Sequence, residues 1–118
     1  MLSNRNYSTE TAQRIPFQII SLMQPKEGAS YMHHSHIAFY KGKFYVTFSL
    51  GEVNEDDCRQ KVMLCTSEDG EHFTEPTVIF SGAEIGDPER ITSSGGIFVD
   101  EETGLLVFTF GSMALDPS

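Results

Sequence analysis

The sequence predicts an all-β fold built from short antiparallel strands. Three observations point there. Apolar residues recur with a period of two through a series of short segments, those segments are rich in β-branched and aromatic side chains, and each is bounded by Gly, Pro, Asp or Asn. No window sustains the 3.6-residue period of a helix.

The segments, in order, are PFQIISLM (16–23), HIAFY (36–40), KFYVTFS (43–49), KVMLCTS (61–67), PTVIF (76–80), GGIFVD (95–100) and LLVFTF (105–110). Lys41-Gly42, between the second and third, has the two-residue length of a tight hairpin. The run from Asp100 to Gly104 reads as a longer hairpin in which Gly supplies a positive φ. Residues 1–14 are polar and carry no strand pattern, so a frayed tail is expected there, with the ordered part spanning 15–118.

Composition bounds the function. At 118 residues and 39% hydrophobic content, with nine Phe and four Tyr, the chain can build one modest core. Eight Lys plus Arg against seventeen Asp plus Glu leave a net charge of −9, so a polyanion would be repelled and nucleic acid is not an expected partner. Cys58 and Cys65 are too few for a disulfide framework and fit no zinc or redox spacing; both read as free thiols, Cys65 buried. The start of the chain has no apolar signal region, and LLVF (105–108) is far too short to span a bilayer, so neither export nor membrane contact is expected and the cytoplasm is favoured.

An internal repeat organises the strands. HSHIAFYKGKFYVTFSLG (34–51) and SSGGIFVDEETGLLVFTFGS (93–112) share one plan: a small or polar start, an apolar strand, a Gly-bearing hairpin, an aromatic-rich strand and a closing Gly. The first copy continues through a polar loop, a third strand, the turn TSEDGEHF (66–73) and a fourth strand. This plan resembles the four-stranded blade of a β-propeller, with a first blade over 33–83 and the start of a second over 87–118: about one and a half to two antiparallel blades.

SEDGEHFTEP resembles the Asp-box, the bacterial neuraminidase repeat of the sialidase superfamily, in which a Ser-x-Asp-x-Gly-x-x-Trp hairpin joins the third and fourth strands of a blade. Ser67, Asp69, Gly70 and Phe73 are the matching positions. This copy is one residue shorter, and Phe73 stands in place of Trp. Ser and Asp side chains can bond backbone N–H groups within such a turn, Gly takes a conformation closed to other residues, and the aromatic ring can pack between blades. The short form also resembles turns of five-bladed glycosidases.

In such a blade the box shares one rim with the Lys41-Gly42 hairpin. Three segments then gather on the opposite rim, near the central channel: YMHHSH (31–36), GEVNEDDCRQ (51–60) and GDPERITSS (86–94). His33, His34 and His36 form a cluster suited to proton transfer or to binding a sugar hydroxyl, against the alternative that they are structural or solvated histidines. His36 is the first choice, because it opens the expected strand. Asp87, Glu89 and Arg90 crowd the next blade's mouth. Paired carboxylates serve glycoside hydrolysis and an arginine holds an anionic substrate group; the plain alternative is an Asp-Pro turn with an internal ion pair.

The candidates divide by role. His36, Asp87 and Glu89 are expected to be catalytic, and His33, His34, Arg59 and Arg90 to bind substrate. Glu52 is a secondary carboxylate, while Glu55, Asp56 and Asp57 read as a solvated acidic loop. No metal or other cofactor is expected. Arg14-Ile15-Pro16 is similar to the Arg-Ile-Pro with which sialidases hold the sialic acid carboxylate, but no hairpin follows promptly.

The resemblance implies an exo-sialidase-like glycoside hydrolase. Its alternatives are a propeller polysaccharide lyase that uses His and Tyr on a uronate, a five-bladed glycosidase, and a non-catalytic glycan-binding propeller. A glycan or sugar is the expected partner. Known propellers need four or more blades, so the expectation is a fragment that is inactive alone and prone to associate through its open blade edges.

Overall fold

The computed structural model describes residues 14–114. Six strands run in order: β1 Tyr31–Tyr40, β2 Lys43–Gly51, β3 Lys61–Ser67, β4 Thr77–Phe80, β5 Ile91–Asp100 and β6 Leu105–Met113. The first four form one antiparallel sheet in the order β1-β2-β3-β4, and the last two form a second. The only helical piece among the described residues is a 3₁₀ turn, Gly82–Ile85, so none is long and apolar enough to cross a membrane. The fold is a four-stranded propeller blade followed by the two inner strands of a second, and the sheets do not close into a ring.

Strand β2 shows why the two sheets stack. Its alternation places Val46, Phe48 and Leu50 on one face and Thr47 and Ser49 on the other, and all five are buried. On the first face Phe48 and Leu50 pack with Met63, Cys65 and Ala29, bordered by Leu22, Met23, Met32 and Phe73. On the second, Thr47 Oγ1 lies 3.0 Å from Ser94 Oγ, and the Ser94 N–H donates to Ser49 Oγ at 2.9 Å. These hydroxyl contacts join the centres of the two blades, with the fully buried Val62 on the same face of the sheet. Aromatic pairs flank them: Phe80 stacks on Phe110 with ring centroids 4.6 Å apart, and Tyr45 meets Phe108 edge-on at 6.4 Å.

The turns follow their residues. Lys41 and Gly42 both take positive φ, 47° and 79°, which is what a two-residue hairpin matching the strand twist demands. In the second hairpin, Asp100 Oδ1 accepts the Glu102 N–H at 3.1 Å and the Gly104 N–H closes on the Asp100 carbonyl at 2.8 Å. The Thr103 hydroxyl, donating to Asp100 Oδ2, and then the Glu102 N–H hold the Asp100 carboxyl below its ordinary range. Tyr40 Oη donates to the Gly104 carbonyl at 2.6 Å, which ties the two hairpins together.

Two expectations are corrected. PFQIISLM forms no strand: Phe17 and Ile19 are more than four-fifths exposed, while Ile20, Leu22 and Met23 are partly buried. Its alternation survives, but it lies over the face of the sheet instead of along an edge, so no ladder forms. Strand β1 begins at Tyr31, five residues before the expected start, so His36 sits within the strand and does not open it. The polar run YMHHS pairs because β2 extends to Gly51 and offers it an edge. Residues 1–13 of the expected tail lie outside the described residues; Arg14 and Ile15 are exposed and belong to no strand.

Candidate functional site

The hairpin rim is organised by a compact knot. Ser67 is buried; its Oγ accepts the N–H groups of Asp69 (3.3 Å) and Gly70 (2.8 Å) and donates to Asp69 Oδ1 (3.0 Å). Asp69 Oδ1 in turn accepts the N–H groups of Glu71 and His72, each at 2.8 Å, while Oδ2 meets His72 Nδ1 at 2.7 Å. Gly70 takes φ +76°, and a Cβ there would meet the Phe44 ring at 3.2 Å. Phe73 packs against the core.

The knot has an electrostatic signature. The N–H and side chain of His72 hold the Asp69 carboxyl well below the usual range, and Asp69 in turn raises His72 by its hydrogen bond and charge. This turn is structural, and it stands beside the Lys41-Gly42 hairpin.

The other rim gathers the start of β1, the β2–β3 loop and the start of β5. Within β1 a bulge separates two paired positions: His33 faces Ser49 and His36 faces Thr47, three residues against two. In a regular strand residues three apart point to opposite faces. The extra residue puts both His33 and His36 on the Thr47–Ser49 side, toward the second blade. His34, in the bulge, is exposed and held at φ 51°, a sparsely populated conformation for a non-glycine residue. The His33 ring lies 4.9 Å from that of Tyr31 and 4.2 Å from that of His34.

Sequence reasoning missed Gln60. It is 1% exposed, its Oε1 lies 2.8 Å from His33 Nε2, and its Nε2 donates to the Thr92 carbonyl at 3.1 Å. Its own carbonyl accepts the Thr92 N–H at 3.3 Å and Oγ1 at 2.5 Å. Gln60 therefore joins both blades at the rim. The polar character of LGEVNEDDCRQ conceals this; the one available signal is that Gln60 directly abuts the strand KVMLCTS.

The cations and carboxylates are more dispersed. Arg59, at φ 73°, reaches Glu52 at 3.8 Å across two largely exposed side chains. Asp57 is not a free member of an acidic loop: its Oδ2 accepts the N–H groups of Glu52 (2.5 Å) and Val53 (2.8 Å), while Glu55 and Asp56 remain exposed. Arg90 Nε donates to Ser112 Oγ at 2.6 Å. Asp87 and Glu89 are exposed, and the Asp87 carbonyl accepts the Arg90 N–H at 3.1 Å in a tight turn. No ion pair joins Arg90 to either carboxylate among the described residues.

The arrangement brings His33 and His36 to one face and Gln60 to His33. It does not draw Asp87 and Glu89 into a buried pair. Among the described residues, no group of three or more His, Cys, Asp or Glu is placed to hold a metal. A cavity of about 490 Å³ lies elsewhere, between residues 21–29 and Leu50, Lys61, Met63 and Glu75, away from all these groups. The rim, not that cavity, is the candidate site.

Stacked antiparallel blades with a knotted outer rim and a His- and Arg-bearing opposite rim define a β-propeller protein. A family model described as BT_1020-like, N-terminal beta propeller matches residues 12–115, and the chain belongs to that family. Neither the curated proteins nor the solved structures contain a significant match.

Proposed function

We propose that this chain contributes blades to a carbohydrate-active β-propeller resembling the exo-sialidase-like glycoside hydrolases. The observation that carries the reading is the separation of rims: the Asp-box-like knot of Ser67, Asp69, Gly70 and Phe73 lies at one end of the sheet, and His33, the β2–β3 loop with Arg59 and the start of β5 lie at the other, with His36 in mid-strand. Arginines near a propeller channel suit an anionic sugar. In this reading Arg59 and Arg90 hold the substrate's acidic group, His33 and His34 bind its hydroxyls, and His36, Asp87 and Glu89 move protons. Asp87 and Glu89 are open to solvent, so they become an acid and base pair only when further blades or substrate enclose them.

The proximity of Tyr31 to His33 favours a second reading, a polysaccharide lyase that takes a proton from a uronate and eliminates across the ring. One experiment separates the two. The full-length protein is incubated with a panel of aryl glycosides, sialosides included, and with uronate polymers. Released aglycone supports the hydrolase, and an unsaturated product absorbing in the ultraviolet supports the lyase. Inactivity on both, with retained glycan binding, overturns the enzymatic reading in favour of a binding module.

A further inference from the structure

We infer that Gln60 is a positioning residue that fixes the proton of neutral His33 on Nε2 and presents Nδ1 as a hydrogen-bond acceptor. A carboxamide has one donating and one accepting end. The Thr92 carbonyl can only accept, so the end of Gln60 that lies 3.1 Å from it must be the NH₂ group. The opposite end, 2.8 Å from His33 Nε2, is then the carbonyl oxygen, which also can only accept. The bond exists only if Nε2 carries the hydrogen.

Rotating the amide would set oxygen against oxygen at Thr92, in a place where Gln60 is 1% exposed and the low local dielectric strengthens the repulsion. Nδ1 has no hydrogen-bond partner among the described residues. The neutral ring therefore offers a lone pair there, which suits a donor such as a sugar hydroxyl and disfavours a bare anionic oxygen. Only the identity of that donor rests on the glycan reading. The tautomer rests on the Thr92–Gln60–His33 chain alone.

The device survives side-chain replacement at Gln60, because the clasp between the blades also runs through its main chain: Thr92 N–H and Oγ1 both donate to the Gln60 carbonyl. Histidine ¹⁵N–¹H correlation spectra of the chain, recorded at alkaline pH so that the ring is neutral, read the tautomer directly. The expected wild-type pattern is protonated Nε2 and bare Nδ1. Gln60→Met should give a mixture of tautomers. An Nδ1–H tautomer or a mixture in the wild type overturns the inference without any variant, and an unchanged tautomer in Gln60→Met overturns the role of Gln60. A negative sugar assay leaves either result standing.

Discussion

The seam between the blades makes the sharpest energetic prediction. Thr47 and Ser94 are 1% and 5% exposed, belong to different sheets, and share one hydroxyl–hydroxyl bond of 3.0 Å. Thr47→Val keeps the shape of the side chain and removes only its oxygen, which leaves Ser94 Oγ buried without that partner. A stranded buried group costs about 1–3 kcal/mol, and Ser94→Ala should cost a similar amount by stranding Thr47 Oγ1. Neither change touches the Ser94 N–H, which is satisfied by Ser49 Oγ. The double variant removes both polar atoms, so it should be close to neutral, with a coupling energy of about 2 kcal/mol or more, the sum of the two single losses. Urea unfolding is the assay. With a slope of roughly 1–2 kcal/mol per molar for a chain of this size, each single variant should lower the midpoint by about 1 M or more, and the double variant should recover most of it. If the two losses simply add, or if Thr47→Val has no effect, the hydroxyl pair does not join the blades and the stacking argument fails.

Three further outcomes follow from the same structure. A Cβ on Gly82 would collide with the Asp87 carbonyl oxygen and sit 3.3 Å from that of Arg90, so Gly82→Ala should destabilise by about 1–3 kcal/mol and displace the Asp87–Arg90 turn; an unchanged melting temperature would refute the close approach. Burial, and secondarily the charge of Glu75, pushes the Cys65 thiol up, whereas Cys58 is partly exposed. Native-state alkylation followed by mass spectrometry should therefore label Cys58 first and Cys65 only on unfolding. His72 is raised by Asp69, so the stability it contributes is complete below its ordinary value of 6.5 and fades as pH rises through its higher folded value. Asp69 is depressed, so its contribution is present above the ordinary carboxylate range and fades as pH falls through its lower folded value. His72→Ala should flatten the alkaline limb of the stability profile, and high salt should blunt it in the wild type, because the pair is exposed.

What could be read beforehand was whatever is encoded over a few neighbouring residues. Strand β3 lies where KVMLCTS alternates, because Gln60 and Glu68 bound it with polar residues and both its faces find cover. The Lys41-Gly42 hairpin and the Ser67–Phe73 knot are likewise local, since each is closed by its own backbone and side chains. PFQIISLM looked the same by period, but a strand needs an edge as well as a pattern, and the segment crosses a face. The first half of β1 was hidden for the converse reason: YMHHS has no strand composition and pairs only because Ser49 to Gly51 present an edge. Gln60 belongs to the same class. Beyond its place beside KVMLCTS, nothing in the sequence marks this glutamine for burial, since its partners lie 27 and 32 positions away.

The two blades also show how a repeated backbone separates scaffold from chemistry. Each inner strand carries one extra residue at the same register: the bulge ends at His36, four residues before Tyr40, and at Gly96, four residues before Asp100. The distortion is thus a property of the blade and needs no particular side chain. In β5 it is built from glycines: Gly96 takes φ 152°, and a Cβ on Gly95 would meet Thr109 Oγ1 at 3.0 Å. In β1 the same device carries His33, His34 and His36, with His34 at φ 51°, where glycine would serve at lower conformational cost. A fold that needed only the bulge would gain by placing glycine at residue 34 as it does at residues 95 and 96. Histidine at that strained position, beside a half-buried His33 tethered to a fully buried Gln60, is therefore not something the bulge itself requires.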